Sequence, residues 1–153
     1  FAVMQPMYNL VKRQAEVELL PLAESEGLGV IPYSPLGGGL LSGKYSQEQH
    51  PESGRLVQNA MYAKRYGDPR NWETAERFTA FAQERKLHPA ALAVAWAMAH
   101  PAVTAPIIGA RNVEQLRASL AAVEIDMTPE LRAEVSALSV EPAVATDRSE
   151  ERA

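Results

Sequence analysis

Residues 28–45 read LGVIPYSPLGGGLLSGKY, and the fold turns on how the two halves of this stretch are read. The first half, residues 28–33, is nearly all apolar with no alternation, the pattern of a parallel strand buried on both faces. The second half runs from Tyr33 and Ser34 through Gly37, Gly38 and Gly39 to a lone Lys44. A loop of that composition lets the backbone come close to something flat and charged, such as a nucleotide.

Two more segments share the strand pattern, residues 1–4 and 104–108. Between them lie helical patterns. Residues 15–26 form a helix that Pro21 either kinks or restarts, closed by Gly27 as a C-cap. The long connection, residues 34–103, is expected to hold two helices. Asn71 caps the first, with Trp72, Ala75, Phe78 and Ala82 on one stripe, and His88-Pro89 opens the second, residues 90–99, apolar nearly all round. Asn112 and Gln115 read as a capping box for a helix reaching about Ala122, and Thr128-Pro129 starts another. The order strand, helix, strand, helices, strand, helix implies right-handed parallel crossovers, hence an α/β sheet or barrel. Three parallel strands alone would leave unpaired edges and an uncovered apolar face. A (β/α)₈ barrel takes about 250 residues, so the chain reads as the C-terminal part of one, about three strands with their helices. We expect the missing part to be N-terminal, since residues 1–5 already read as strand interior. Residues 1–140 then form this incomplete domain and residues 141–153 a flexible tail rich in Pro, Ala and charge.

Composition narrows the function classes. The chain has 153 residues, 46% hydrophobic and 22% charged, with a formal net charge of -4. Basic residues are scattered, so neither nucleic acid nor an anionic membrane is an expected partner. Cysteine is absent, which excludes disulfides and thiolate chemistry and fits a reducing cytoplasm. His50, His88 and His100 are too dispersed for a metal site, and the apolar run at 90–99 is about half a membrane span. A cytoplasmic protein with no bound metal is the expectation.

Ligands of a (β/α)₈ barrel bind at the carboxyl ends of its strands, often with a phosphate between the last two loops at a helix N-terminus. Both parts are present. Residues 34–39 follow one strand, and Gly109-Ala110-Arg111-Asn112 follows the next and opens into a capped helix, so free amides, the helix dipole and the Arg111 guanidinium converge on an anion. Each residue also has a plain structural use: the glycines as a turn, Arg111 as a solvated charge, Gln115 as capping-box partner, Tyr33 as a core aromatic.

Three stretches, QPMYNL at 5–10, YSPLGGGLLSGKY at 33–45 and IIGARNVEQL at 107–116, resemble the C-terminal half of an aldo-keto reductase. The likeness is to the branch with bacterial reductases and potassium-channel β-subunits. It implies a barrel that binds NADP(H) across its strand ends and transfers hydride between nicotinamide and a small carbonyl substrate. By that resemblance Gln5 holds the carboxamide, and Tyr33 stacks on the nicotinamide. Ser34, Leu36 and Gly38 line the pyrophosphate, Lys44 and Arg55 reach the phosphates, and Gly109, Arg111 and Gln115 hold the adenosine end with its 2′-phosphate. Ala118 and Ser119 stand where many relatives have Glu and Asn beside the adenine, which predicts fewer adenine contacts. The family's catalytic Asp, Tyr, Lys and His come from the N-terminal half, so no catalytic residue is assigned here, and Tyr8, Tyr45, Tyr62 and Tyr66 are no substitutes. The alternatives are a non-catalytic NADP(H)-binding or partner-docking module and an inactive fragment. A chain this short would need its N-terminal half or an oligomer to cover the sheet edges.

Overall fold

The computed structural model describes residues 1–46 and 54–144. Strands β1 (Val3–Met4) and β2 (Gly29–Val30) pair in parallel, Val3 opposite Gly29 and Met4 opposite Val30. The pairing continues as single parallel bridges, Met7 with Tyr33 and Tyr33 with Ile107, so Tyr33 is bridged on both sides. The three expected strands are thus shorter than their apolar runs, and residues 104–108 contribute a bridge where a third strand was expected. Thr104 and Ile107 still donate their amides to the carbonyls of Val30 and Pro32, each at 2.8 Å. Proline explains the interruption. Pro6 follows the first segment, between the pairings of Met4 and Met7, while Pro32 and Pro106 stand within the other two, and none can donate to a ladder.

The crossover from β1 to β2 carries α1 (Leu19–Ser25). Pro21 sits in its first turn, where a missing N–H costs nothing. The helix ends in a Schellman motif: Gly27 has φ +62, and the Leu28 amide reaches the Ala23 carbonyl at 2.8 Å.

The long connection holds four helices among the described residues, α2 (Arg55–Gln58), α3 (Ala60–Tyr66), α4 (Pro69–Glu84) and α5 (Pro89–Met98), where two were expected. The start of α4 also differs. Asp68, not Asn71, is its N-cap, accepting from the Arg70 amide, with Pro69 at the first helical position. Asn59 caps α3 in the same way. After residue 107 come α6 (Val113–Leu120), capped by Asn112, and α7 (Pro129–Ser136), capped by Thr128.

Helix α5 is the centre of the core: Ala90 to Ala97 are all buried, small residues that let neighbours approach while Leu92 and Trp96 fill the gaps. Trp96 stacks on Tyr8 with ring centroids 5.0 Å apart and donates Nε1–H to Ser136 Oγ at 2.9 Å. Tyr8 donates to Glu16 Oε1 at 2.6 Å and accepts from Arg132 at 3.0 Å, so the exit of β1, α5 and α7 share one buried polar network. Burial, chiefly, holds the Tyr8 hydroxyl well above the ordinary phenol range. Outside this core, Phe1 and Val3, Leu19 and Leu22 of α1, and Val113, Leu116 and Leu120 of α6 are exposed apolar residues. No helix of the described residues is long and apolar enough to cross a membrane.

Candidate functional site

A cavity of about 640 Å³ opens between the turn that follows β2 and the turn that precedes α6. Gly38 and Gly39 of the glycine turn line it. Gly37, Gly38 and Gly39 take φ of 58, 69 and 102, three consecutive left-handed residues that only glycine adopts without strain. A Cβ on Gly38 would stand 2.8 Å from Tyr62 Cδ1, so the turn and the tyrosine of α3 fit only because that side chain is absent. Ser34 enters the turn with φ 59, and its carbonyl accepts from the Gly37 amide at 2.9 Å.

The opposite wall is residues 107–115. Asn112 Oδ1 accepts from the Gln115 amide at 2.9 Å, as a capping box requires. Gln115 Oε1 reaches one residue further back than that box, to the Arg111 amide at 3.0 Å. The turn is therefore braced by its own side chains, and Arg111 lines the cavity.

Three cations line the cavity: Lys44, Arg55 and Arg111. None joins the ion pairs found among the described residues, which are Arg13 with Glu16, Arg70 with Asp68, and Arg85 with Glu134. Burial, and then the charge of Arg111, push the Lys44 ammonium below its usual range. Lys44 lies over the Tyr45 ring at 5.0 Å and Arg55 over the Tyr62 ring at 5.5 Å, and like charges gathered in one cleft suit an anion, which relieves the repulsion. Among the described residues, Glu114 is the one acidic residue of the lining.

Of the ten residues expected at a cofactor site, nine line this cavity: Tyr33, Ser34, Leu36, Gly38, Lys44, Arg55, Gly109, Arg111 and Gln115. Gln5 is exposed, follows β1 and is not part of the lining. Ala118 lines the cavity, whereas Ser119 is 2% exposed and its Oγ, without a partner, lies in the packed side of α6. Sequence reasoning missed Tyr62 and His88, which also line it. His88 was legible only as the start of α5, whose Ala90 amide donates to its Nδ1 at 3.1 Å. Tyr62 had no signal at all, because its place depends on α3 folding back over Gly38.

The chain was compared with known proteins. The family model described as Aldo/keto reductase family matches residues 1–139. An "Uncharacterized oxidoreductase YrpG" of Bacillus subtilis is 40% identical over 127 residues, which cover 83% of this chain and 37% of that protein. An "Uncharacterized oxidoreductase Mb2320" of Mycobacterium bovis is 36% identical over 84% of this chain and 39% of its own length. A "Probable voltage-gated potassium channel subunit beta" of Oryza sativa is 33% identical over 89% of this chain and 43% of its own length. The chain thus spans less than half the length of these relatives. With the matched pattern covering residues 1–139, the chain belongs to the aldo/keto reductase family.

Proposed function

We propose that this chain is the NADP(H)-binding portion of an aldo-keto reductase that reduces aldehydes or ketones. The carrying observation is the convergence on one cavity of a left-handed glycine turn and three cations, none of them in an ion pair among the described residues. The donor set suits a dinucleotide diphosphate: small residues and backbone along residues 34–39, ammonium and guanidinium groups above them, and a braced helix N-terminus opposite. A volume of about 640 Å³ is in the usual range for small-molecule sites.

The residues divide the work by chemistry. Tyr33, held between two bridges, offers a fixed aromatic face for a nicotinamide ring. Ser34, Leu36 and Gly38 take the pyrophosphate by hydroxyl and backbone. Lys44 and Arg55 neutralise it, and Arg111 with Gln115 takes the 2′-phosphate and adenosine. Gln5 holds the carboxamide in this reading only from the rim. The cofactor, when bound, supplies the hydride for a carbonyl carbon. A proton donor for the carbonyl oxygen is not assigned to any residue of this chain; in the family-wide (β/α)₈ barrel it belongs to strands N-terminal to those described. The small carbonyl substrate, the cytoplasmic location and the barrel are parts of the same proposal.

Titration with NADPH, followed by Trp and cofactor fluorescence, tests the reading: saturable binding is expected, and none would return the chain to an inactive fragment. A second reading, a non-catalytic NADP(H)-binding or partner-docking module, is favoured by the channel-subunit name of the rice relative. Binding without turnover of any aldehyde by a whole (β/α)₈ barrel that includes this chain would select it.

A further inference from the structure

Asn9 lines no part of the cavity, yet it holds the turn that lines it. The residue is 0% exposed. Its Nδ2 donates to the Ser34 carbonyl at 2.9 Å and to Tyr66 Oη at 3.3 Å, while Oδ1 accepts from the Val11 amide at 3.1 Å.

The backbone shows why a side chain is needed there. The parallel pairing past β1 and β2 runs through Tyr33 N–H to the Pro6 carbonyl at 3.0 Å and Tyr8 N–H to the Tyr33 carbonyl at 3.3 Å. Beyond Tyr8 the chain turns away. Asn9 and Lys12 exchange their backbone bonds with one another, so no main-chain donor of the neighbouring segment reaches the Ser34 carbonyl, which takes only the local Gly37 amide. The Asn9 side-chain amide supplies the missing rung. What it fixes is a serine in the left-handed region, φ 59, whose carbonyl also accepts the Gly37 amide that starts the glycine turn.

We propose that Asn9 is a positioning residue for the cofactor: its amide fixes the Ser34 carbonyl and thereby sets the left-handed entry into the Gly37–Gly39 turn, which reads the pyrophosphate end of NADP(H). The inference rests on the cofactor reading above. Only an asparagine offers a donor to Ser34 and an acceptor to Val11 from one short side chain. The opposite wall is independent of it, because residues 111, 112 and 115 brace one another. Loss of Asn9 therefore acts on one end of the dinucleotide.

That asymmetry is the test. The protein and its Asn9→Ala and Asn9→Ser variants are titrated calorimetrically with NADPH and with adenosine 2′,5′-bisphosphate, which carries the adenosine end alone. Serine can keep a local bond to the Val11 amide but is too short to reach Ser34, so it deletes the rung with less risk to folding. Both variants should bind NADPH about tenfold more weakly, the scale of one lost hydrogen bond, and bind the bisphosphate within about twofold of the parent. Equal losses for both ligands would make Asn9 a merely structural residue, and undiminished NADPH binding by Asn9→Ser would also overturn the proposal. A parent protein that binds neither ligand would sink the cofactor reading itself, an outcome distinct from a parent that binds and variants that match it.

Discussion

Arg111 and Gly38 bear the sharpest residue-scale consequences. NADP differs from NAD by one 2′-phosphate, so a discriminating residue must meet that group alone. A guanidinium bond to a charged partner contributes roughly 1.5 to 3 kcal/mol, about ten- to a hundredfold in affinity. Arg111→Ala should weaken NADPH by that factor, barely change NADH, and show a smaller NADPH loss at high salt. Equal losses for the two cofactors would place Arg111 on the pyrophosphate or in a structural role. Gly38→Ala meets two obstacles at once, φ +69 and a methyl 2.8 Å from Tyr62 Cδ1. It should cost about 1 to 3 kcal/mol in urea denaturation and weaken NADPH as well; unchanged stability would mean the turn is not held in this form. Much of this was legible, because glycine runs and a cation beside a cap carry their physics locally. Asn9 and Tyr62 were not, since their roles exist only once Asn9 meets Ser34 and Tyr62 meets Gly38, each pair far apart in sequence.

At the scale of elements, α5 and the network around it set the stability. Trp96→Ala removes a fully buried ring, its stacking on Tyr8 and its bond to Ser136, and should cost about 3 to 5 kcal/mol, read from the denaturation midpoint. The network also makes stability depend on pH. Burial, then the charge of Arg132, push His100 below its ordinary 6.5, and its Nδ1 accepts from the Ala102 amide at 3.2 Å, a bond that needs the neutral ring. Burial by itself would raise Glu16, but hydrogen bonds from Arg13 and Tyr8 outweigh it and bring it below its ordinary 4.5. Both groups bind more protons unfolded than folded, so stability rises with pH. The His100 contribution is complete above pH 6.5 and that of Glu16 above pH 4.5, and each is lost as pH falls through its lowered folded value. Thermal midpoints should therefore fall on acidification in two stages, and His100→Asn should flatten the first; a midpoint constant between pH 8 and about 5 would contradict this. The helix caps were readable as a class. Asn71 reads as the cap because the apolar stripe begins at Trp72, whereas Asp68 and Pro69, one turn earlier, open α4.

For the whole molecule, parallel order was the most legible feature, since buried parallel strands are apolar throughout and helices separate them. Strand length was not, because three prolines cut the ladders that the apolar runs suggest. The exposed apolar residues at β1, α1 and α6 mark surfaces that a soluble chain does not leave to water. These 153 residues expressed alone should self-associate, giving a light-scattering mass above 16.7 kDa; a compact monomer that unfolds cooperatively would contradict that. The central claim, that the cavity between residues 34–44 and 107–115 takes NADP(H), is tested most directly by a crystal structure of the protein grown with NADP. Density is expected for the pyrophosphate along the Ser34–Gly39 turn and for the 2′-phosphate at Arg111. Density for the dinucleotide at any other place, or a clear cavity at saturating cofactor, would contradict it.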